Sequence, residues 1–415
     1  MERLARRLGL ADAVVIGLGS MLGAGVFVVF APAAAAAGGA GLLLAVALAG
    51  FVAFCNATSS ARLAARYPES GGTYVYGRER LGRYPGFLAG WGFVVGKTAS
   101  CAAMALTIGA YLWPGQARLV AVGAVVAVTG VNLRGVGRTA TATKILVGVV
   151  LTVLALVTVT GLGAVTPDRV DGLDGSARGV LTAAGLLFFA FAGYARIATL
   201  GEEVRDPERT IPRAVPLALG IVLAIYLTLA TVTVGVLGAD ALASSTAPLV
   251  DVVTAAGLPD LAWVVRAGAT VAVTGVLLSL VAGVGRTTLA MARRGDLPTA
   301  LAAVHPRHRV PHRAELAVAA VVIAVVLLGD VRGAIGFSSC TVLVYYAITN
   351  AAALTLGREP GRRLPVRALA VAGLVGCLLL VVNLPLGSVV GGLGVLVLGT
   401  IWYALRHHLA PQRSG

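Results

Sequence analysis

Four glycines, Gly17, Gly19, Gly23 and Gly25, and one serine, Ser20, lie inside the first long apolar run of this 415-residue chain. Each glycine in a helix interior costs roughly 0.5–1 kcal/mol relative to alanine, so this density favours unwinding. Unwound backbone at membrane depth survives where it is buried in protein or lines a cavity, and its free N–H and C=O groups can bind a carboxylate, an ammonium group or a small cation. The pattern predicts a broken helix that binds a small polar solute. Close helix packing through small residues is the alternative explanation.

A second interrupted segment, FFAFAG at 188–193, combines aromatic and small residues inside the sixth apolar run. Arg196 follows it, and Glu202 and Glu203 lie at the end of the same run. The arginine and either glutamate predict a gate at the inner end of the helix, with an interfacial ion pair as the equal alternative. Interrupted segments at corresponding positions of two halves indicate a transporter site built from inverted repeats.

The composition indicates that these two segments belong to membrane-spanning helices. Hydrophobic residues make up 58% of the chain and charged residues 12%, whereas soluble domains have about 25% charged residues. The chain is therefore predicted to be an all-α integral membrane protein. Apolar runs long enough to span a bilayer, here called spans 1 to 12, occur at 11–37, 40–64, 86–113, 117–133, 141–164, 179–201, 212–238, 262–290, 314–329, 333–356, 366–383 and 386–405.

Arginine is concentrated in alternate loops, beginning with the N-terminal segment and the connection between spans 2 and 3. The positive-inside rule therefore predicts that both termini lie in the cytoplasm, and we expect the protein in the plasma membrane. This orientation also accounts for the net charge of +15, so no nucleic acid partner is expected. Histidines occur in the arginine-rich segments at 305, 308, 312, 407 and 408 without ligand spacing, and we expect solvated loop residues rather than a metal or cofactor site.

Only two of the 33 basic residues are lysines, namely Lys97 inside span 3 and Lys144 near the start of span 5. Lysine can lose its proton on burial and arginine cannot, so these positions are candidates for a titratable amine. The alternative for both is a side chain that extends towards the membrane interface.

Four stretches together resemble the amino acid–polyamine–organocation (APC) superfamily of amino acid permeases. They are GLGSMLGAGVF at 17–27, YPESGGTYVYGRERLG at 67–82, FFAFAGYARIATLGEEVRDPERTIPRAV at 188–215 and ARRGDLP at 292–298. The resemblance implies a five-plus-five inverted repeat with spans 1 and 6 broken. It divides the chain into a transport core at 1–358, with repeats at about 11–165 and 179–356, and a segment at 359–415 with spans 11 and 12 and a cytosolic tail.

The resemblance also implies a substrate site. N–H groups of the first break would bind the substrate carboxylate, and carbonyl groups of both breaks would bind its ammonium group. The implied residues of the first break are Gly19, Ser20, Met21, Gly23, Ala24 and Gly25. In the second break, Phe189 would be an aromatic gate, with Ala190, Phe191 and Ala192 lining the pocket. Many relatives have serine where this chain has Ala24, which cannot contribute a hydroxyl contact.

Lys144 matches a lysine that sodium-independent and proton-coupled relatives place between spans 1, 5 and 8. The resemblance implies a proton-coupling role for Lys144, with Ser279 of span 8 as its hydroxyl partner. A lysine in a low-dielectric site could gain and lose a proton within the working pH range.

The sequence thus predicts a secondary carrier for amino acids, with proton-coupled uptake of neutral substrates. No carboxylate in the central part of spans 1, 3, 6, 8 or 10 could pair with a cationic substrate side chain. An amino acid or amine exchanger and a polyamine or cationic amino acid carrier remain alternatives within the same class. A channel and an intramembrane enzyme are alternatives from other classes, and neither fits one broken segment per half as well.

Overall fold

A computed structural model describes residues 8–67, 71–135, 140–170, 176–198, 204–357 and 366–409. Within these residues the regular structure is helical, and the one β-type contact is an isolated bridge between Leu8 and Val204. Span 1 has three pieces, Leu10–Met21, Ala24–Val28 and Phe30–Ala37, and span 6 also has three, Ala177–Phe191, Ala192–Tyr194 and Ala195–Ala198. The other spans, in order, are Gly39–Arg66, Arg83–Leu112, Ala117–Leu133, Ala140–Leu162, Pro207–Leu237, Ala262–Arg293, His312–Leu328, Val331–Leu354, Val366–Asn383 and Leu386–Leu409.

Eleven helices in the described part of the chain are long and apolar enough to cross a membrane. The remaining predicted span is span 9, a 17-residue helix, which is at the short end of the lengths that cross a bilayer. The all-helical fold with about twelve spans is therefore confirmed. We call the side that holds the connections between spans 2 and 3, 4 and 5, 6 and 7, 8 and 9, and 10 and 11 the arginine-rich side.

Contacts between spans repeat with a shift of five. Span 1 packs against spans 5 and 7, and span 6 packs against spans 10 and 2. Likewise, span 3 packs against span 10, and span 8 packs against span 5. An inverted repeat of two five-span units requires this correspondence, because equivalent helices must have equivalent neighbours.

Short connections set the ends of several spans. Gly38 joins spans 1 and 2 with a φ of 71°, a left-handed conformation that glycine adopts without steric cost. Span 10 begins after Asp330, whose carboxylate accepts a hydrogen bond from the Gly333 N–H at 2.9 Å. This cap satisfies one of the free N–H groups at the helix start, and it confirms the predicted boundary between spans 9 and 10.

In the described part of the chain, three short α-helices lie between the spans and were not predicted. The Thr73–Leu81 helix connects spans 2 and 3, while Ala239–Ser244 and Pro248–Ala255 lie between spans 7 and 8. The last of these contacts Ala24–Val28 as well as spans 5, 7 and 8. It therefore lies next to the interrupted part of span 1, on the side opposite the arginine-rich side.

Candidate functional site

Span 1 is interrupted where the glycines predict it. Its first helix ends at Met21, and the next piece begins at Ala24. Leu22 has φ −78° and ψ 46°, and its N–H still donates to the Leu18 carbonyl at 2.7 Å. Gly23 then departs from helical geometry, with φ −102° and ψ −142°. Backbone groups around residues 22–25 are consequently free of the regular helical ladder.

Span 6 is interrupted in a milder way. Its α-helix ends at Phe191, continues as a 3₁₀ turn over Ala192–Tyr194, and returns to α-helix over Ala195–Ala198. The predicted break is therefore present as a change of helix type rather than as extended backbone. A 3₁₀ stretch within a helix often marks a functional hinge.

The two interruptions touch each other backbone to backbone. A Cβ atom built at Gly193 would overlap the carbonyl oxygen of Ser20, and one at Gly25 would lie 2.5 Å from the Cα atom of Ala190. Real Cβ contacts do not occur at these distances. Glycine at both positions is thus what allows spans 1 and 6 to meet.

Two tyrosines from other spans donate hydrogen bonds to backbone carbonyl groups of this region. The Tyr226 hydroxyl of span 7 donates to the Met21 carbonyl oxygen at 2.7 Å and lies 3.2 Å from the Ala190 carbonyl oxygen. The Tyr346 hydroxyl of span 10 donates to the Ala192 carbonyl oxygen at 3.3 Å. Both tyrosines are buried. They supply the hydrogen bonds that buried backbone groups need outside a regular helix, and sequence reasoning missed them.

Two phenylalanines of span 6 pack edge-on against the rings of these tyrosines. Phe191 lies edge-on to Tyr226 with ring centroids 5.0 Å apart, and Phe188 lies edge-on to Tyr346 at 5.6 Å. Both phenylalanines are fully buried, whereas Phe189 is 9% exposed. Phe189 is thus also buried, with a slightly larger exposed fraction than Phe188 and Phe191, and its role as a gate stays a prediction.

The other predicted residues of the breaks are packed closely. Met21, Gly23, Gly25, Ala190 and Ala192 are buried. Ser20 donates to the Ile16 carbonyl at 2.9 Å, which leaves its hydroxyl oxygen as an acceptor. A Cβ at Gly19 would lie 2.9 Å from Val147 of span 5, and one at Gly23 would lie 2.8 Å from Val276 of span 8. The backbone of Ala24 is described, and its side chain lies outside the described part.

The region is closed on the side opposite the arginine-rich side. Tyr111 of span 3 donates to the Phe27 carbonyl at 2.7 Å, and the two rings meet edge-on with centroids 5.7 Å apart. Arg266 of span 8 donates to the Tyr111 carbonyl at 2.9 Å. These bonds connect spans 1, 3 and 8 just beyond the break.

Residues 8–405 match the profile of a family described as amino acid permease. The chain belongs to the amino acid permease family. An uncharacterized transporter of Mycobacterium tuberculosis is 62% identical over 408 residues, which cover 98% of this permease and 92% of the relative. The methylthioribose transporter and a branched-chain amino acid permease of Bacillus subtilis are 27% and 26% identical, and each match covers 75% of this permease and 72% of the relative.

Lys144 lies at the start of span 5 on the arginine-rich side of the permease. Its Nζ atom is 2.7 Å from Oδ1 of Asp12 in span 1, and its side chain is 54% exposed against 25% for Asp12. The second carboxylate oxygen of Asp12 accepts the Gly9 N–H at 3.0 Å. At 1.5 Å per residue, the Asp12 backbone is about 14 Å from Met21. The ammonium group thus links spans 1 and 5 at their ends, away from the break.

Ser279 and Arg196, which were predicted for coupling and for the gate, both have exposed side chains. Ser279 is exposed on span 8, and span 8 meets the break through Val276 instead. In the described residues the partner of the Lys144 ammonium group is the Asp12 carboxylate rather than the predicted Ser279 hydroxyl. Arg196 is exposed just after the 3₁₀ turn, and Glu202 and Glu203 lie outside the described residues.

Two of the family-like stretches meet on the arginine-rich side. The Tyr74 hydroxyl donates to Oδ2 of Asp296 at 2.6 Å, and Arg78 lies 3.3 Å from the same oxygen. Arg294 lies over the Tyr74 ring, 5.4 Å from its centroid. Burial, together with the Asp296 carboxylate, raises the pKa of Tyr74 above its usual range and keeps the phenol protonated. This cluster fixes the Thr73–Leu81 helix to the end of span 8.

Lys97 lies near the middle of span 3 and is 9% exposed. Around it, span 3 contacts span 10 closely: Ser100 and Ser338 share a 2.7 Å hydrogen bond, and a Cβ at Gly96 would overlap Thr341. Lys97 has no ion pair with any residue that the structure describes. The described residues also contain no group of three or more histidine, cysteine or acidic side chains that could hold a metal ion.

Proposed function

We propose that this permease carries amino acids across the plasma membrane by alternating access, as a secondary active transporter with both termini in the cytoplasm. The contact between the interruptions of spans 1 and 6 is the observation that carries the proposal. It brings together backbone groups of two interrupted helices whose carbonyl groups are bonded to side chains, Tyr226 and Tyr346, outside the regular helical ladder. Backbone at membrane depth that is not in a regular helix is typical of transporter binding sites.

In this proposal the N–H groups of residues 23–25 bind the substrate carboxylate. The carbonyl groups near residues 19–21 and in the span 6 turn bind the α-ammonium group. The Tyr226 hydroxyl already donates a hydrogen bond to the Met21 carbonyl. The substrate ammonium group would replace this hydrogen bond or share the carbonyl oxygen with it. Phe189 covers the substrate from the span 6 side.

We propose a neutral amino acid as the substrate, and the position of the buried carboxylates supports this. Asp296 and Glu315 are both 2% exposed. Asp296 follows span 8 on the arginine-rich side, and Glu315 lies in the first turn of span 9 on the same side. Neither is near the interruptions. Among the described residues, a cationic side chain would lack a buried partner there, at a cost of several kcal/mol.

We propose that protons drive uptake through Lys144. In the arrangement described here, the Lys144 ammonium group forms an ion pair with Asp12. Opening on the arginine-rich side would separate spans 1 and 5 and break the pair. In this proposal the separation of the two spans is coupled to proton movement at Lys144. An ion pair between the ends of two helices that move relative to each other could link proton movement to that motion.

Counterflow in proteoliposomes tests this function. Vesicles containing the purified permease are preloaded with one unlabelled compound, and entry of the labelled compound is followed. The panel contains neutral, cationic and acidic amino acids, a polyamine and methylthioribose, which is included because a relative is named for it. Counterflow with neutral amino acids supports the proposal. Saturable counterflow only with amines or methylthioribose would replace the substrate class, and labelled flux without counterflow would indicate a channel.

A further inference from the structure

A cavity of about 570 Å³ lies on the arginine-rich side, away from the interruptions of spans 1 and 6. The end of span 4, the start of span 9 and the loop between spans 8 and 9 form its walls. Its polar lining consists of Arg134, His305, His308 and His312. Three histidines expected to be solvated loop residues are therefore gathered at one cavity.

The histidine rings are held in place by the loop itself. The centroid of His305 lies 4.9 Å from that of His308 and 5.6 Å from that of His312. Nδ1 of His305 accepts hydrogen bonds from the N–H groups of Arg307 and His308 at 3.3 and 3.2 Å. Since Nδ1 is an acceptor, Nε2 carries the hydrogen and is a donor. Hydrogen bonds between the backbone of His305 and those of Arg309 and Val310 close the loop.

One polar atom of this cluster has no partner. Nδ1 of His312 is buried and makes no hydrogen bond to any residue that the structure describes. An unpaired buried polar atom costs free energy that a bound ligand can recover. Among the described residues, these imidazoles do not form a group of three or more side chains placed to hold a metal ion.

The charge around the cavity favours an anion. Residues 299–314 contain no aspartate or glutamate but include Arg307, Arg309 and Arg313. All three arginines are exposed, as is Arg134 on the opposite wall. Glu315, the next residue, faces span 8, where a Cβ at Gly285 would lie 2.7 Å from its Cγ. The positive charge of the loop is therefore not neutralised by the nearest carboxylate in sequence.

The remaining wall is apolar and continues towards the bilayer. It includes Val131 of span 4, which is 37% exposed, and Leu316 of span 9, which is 50% exposed. A free inorganic anion would gain nothing from these side chains. A lipid would bury its acyl chain against them while its headgroup reaches the arginine and the imidazoles. Basic pockets between spans on the cytoplasmic side are typical sites for anionic headgroups.

We propose that this cavity binds an anionic phospholipid of the adjoining leaflet. Arg134, together with the imidazoles of His305, His308 and His312, binds the phosphodiester group. Val131 and Leu316 contact the acyl chain. The lipid bridges spans 4 and 9, which are equivalent helices of the two repeats. This site is independent of the substrate site and of the proposed coupling.

Native mass spectrometry of the purified, delipidated permease tests the proposal. Phosphatidylglycerol and phosphatidylcholine with the same acyl chains are titrated separately. The wild type is expected to bind one phosphatidylglycerol at least tenfold more tightly than phosphatidylcholine. Arg134→Gln is expected to weaken phosphatidylglycerol binding about fivefold. Adding His308→Gln to this variant is expected to weaken the binding further. Arg367→Gln is the matched control, because Arg367 is exposed at the start of span 11 on the same side.

Several outcomes would overturn the proposal. Equal affinity of the wild type for the two lipids would exclude an anionic headgroup site, and this comparison does not depend on any variant folding. Equal losses in Arg134→Gln and Arg367→Gln would indicate general surface charge. Competition by millimolar inorganic phosphate that fully displaces the lipid would assign the cavity to a free anion.

Discussion

The phenol hydroxyl of Tyr226 in span 7 donates to the carbonyl oxygen of Met21 in span 1 at 2.7 Å. The same hydroxyl is 3.2 Å from the Ala190 carbonyl of span 6. One side chain on a continuous helix thus contacts both interrupted helices. This arrangement couples the two halves of the proposed site, since a shift of either interruption changes the bonding of the other.

Tyr226→Phe removes this hydroxyl and keeps the ring contact with Phe191. We expect a loss of about 1–2 kcal/mol in stability, because a buried carbonyl loses its partner, together with a clear fall in uptake rate. Thermal unfolding in detergent and counterflow in proteoliposomes measure the two effects. Tyr84→Phe is the control, since Tyr84 is 39% exposed and its hydroxyl shares a hydrogen bond with Thr400. Equal counterflow in both variants would refute a role for Tyr226 in transport.

Glycine is required where spans 1 and 6 meet. Gly25→Ala and Gly193→Ala each place a methyl group within 2.5 Å of backbone or Cβ atoms of the other span, so we expect both to separate the interruptions and abolish transport. Gly220→Ala and Gly283→Ala are matched controls, because a Cβ at either position has no heavy atom within 4 Å. Transport by Gly193→Ala at the level of the controls would show that the close contact is not needed.

Variants of the ion pair between Lys144 and Asp12 can show whether Lys144 couples transport to protons or only links spans 1 and 5. Lys144→Ala is expected to abolish accumulation driven by a proton gradient while retaining counterflow, because counterflow needs no proton movement. The double variant Asp12→Lys with Lys144→Asp restores opposite charges across spans 1 and 5. We expect it to be well folded and still uncoupled. If the double variant regains proton-driven accumulation, the pair acts as a structural link and Lys144 is not the coupling group.

Lys97 is buried near the middle of span 3, and the described residues give it no anionic partner. A buried amine without an ionic partner costs free energy, and an apolar side chain of similar length removes that cost. We therefore expect Lys97→Met to raise the melting temperature. We also expect it to lower uptake, because ionisable residues inside spans are retained for function. A lower melting temperature with unchanged uptake would contradict both expectations and make Lys97 a structural residue.

Hydropathy and glycine density were enough to predict the spans and the position of the first interruption. Both signals are local: a run of about 20 apolar residues must cross the bilayer, and clustered glycines destabilise a helix wherever they occur. The Asp330 cap between spans 9 and 10 was also recognisable, as a charged interruption of an apolar run. Local chemistry thus determined most of the architecture.

The partners of the interruptions could not be predicted in the same way. Tyr226 is 205 positions from Met21, and Tyr346 is 154 positions from Ala192. A tyrosine in an apolar span was their only signal. The exposed position of Ser279 had no signal either, because span 8 has polar residues on more than one side, among them Arg266 and Arg286, and its sequence does not reveal which face is buried. Tertiary packing decides these details.

Accumulation under an imposed proton gradient tests the central claim most directly. The neutral amino acid that shows the strongest counterflow is given, labelled, to proteoliposomes that are acidic outside and alkaline inside, with empty liposomes and Lys144→Ala in parallel. The account predicts that the wild type concentrates the amino acid above its external level and that a protonophore abolishes this. Equilibration to the external level, with or without the gradient, would contradict proton-coupled transport.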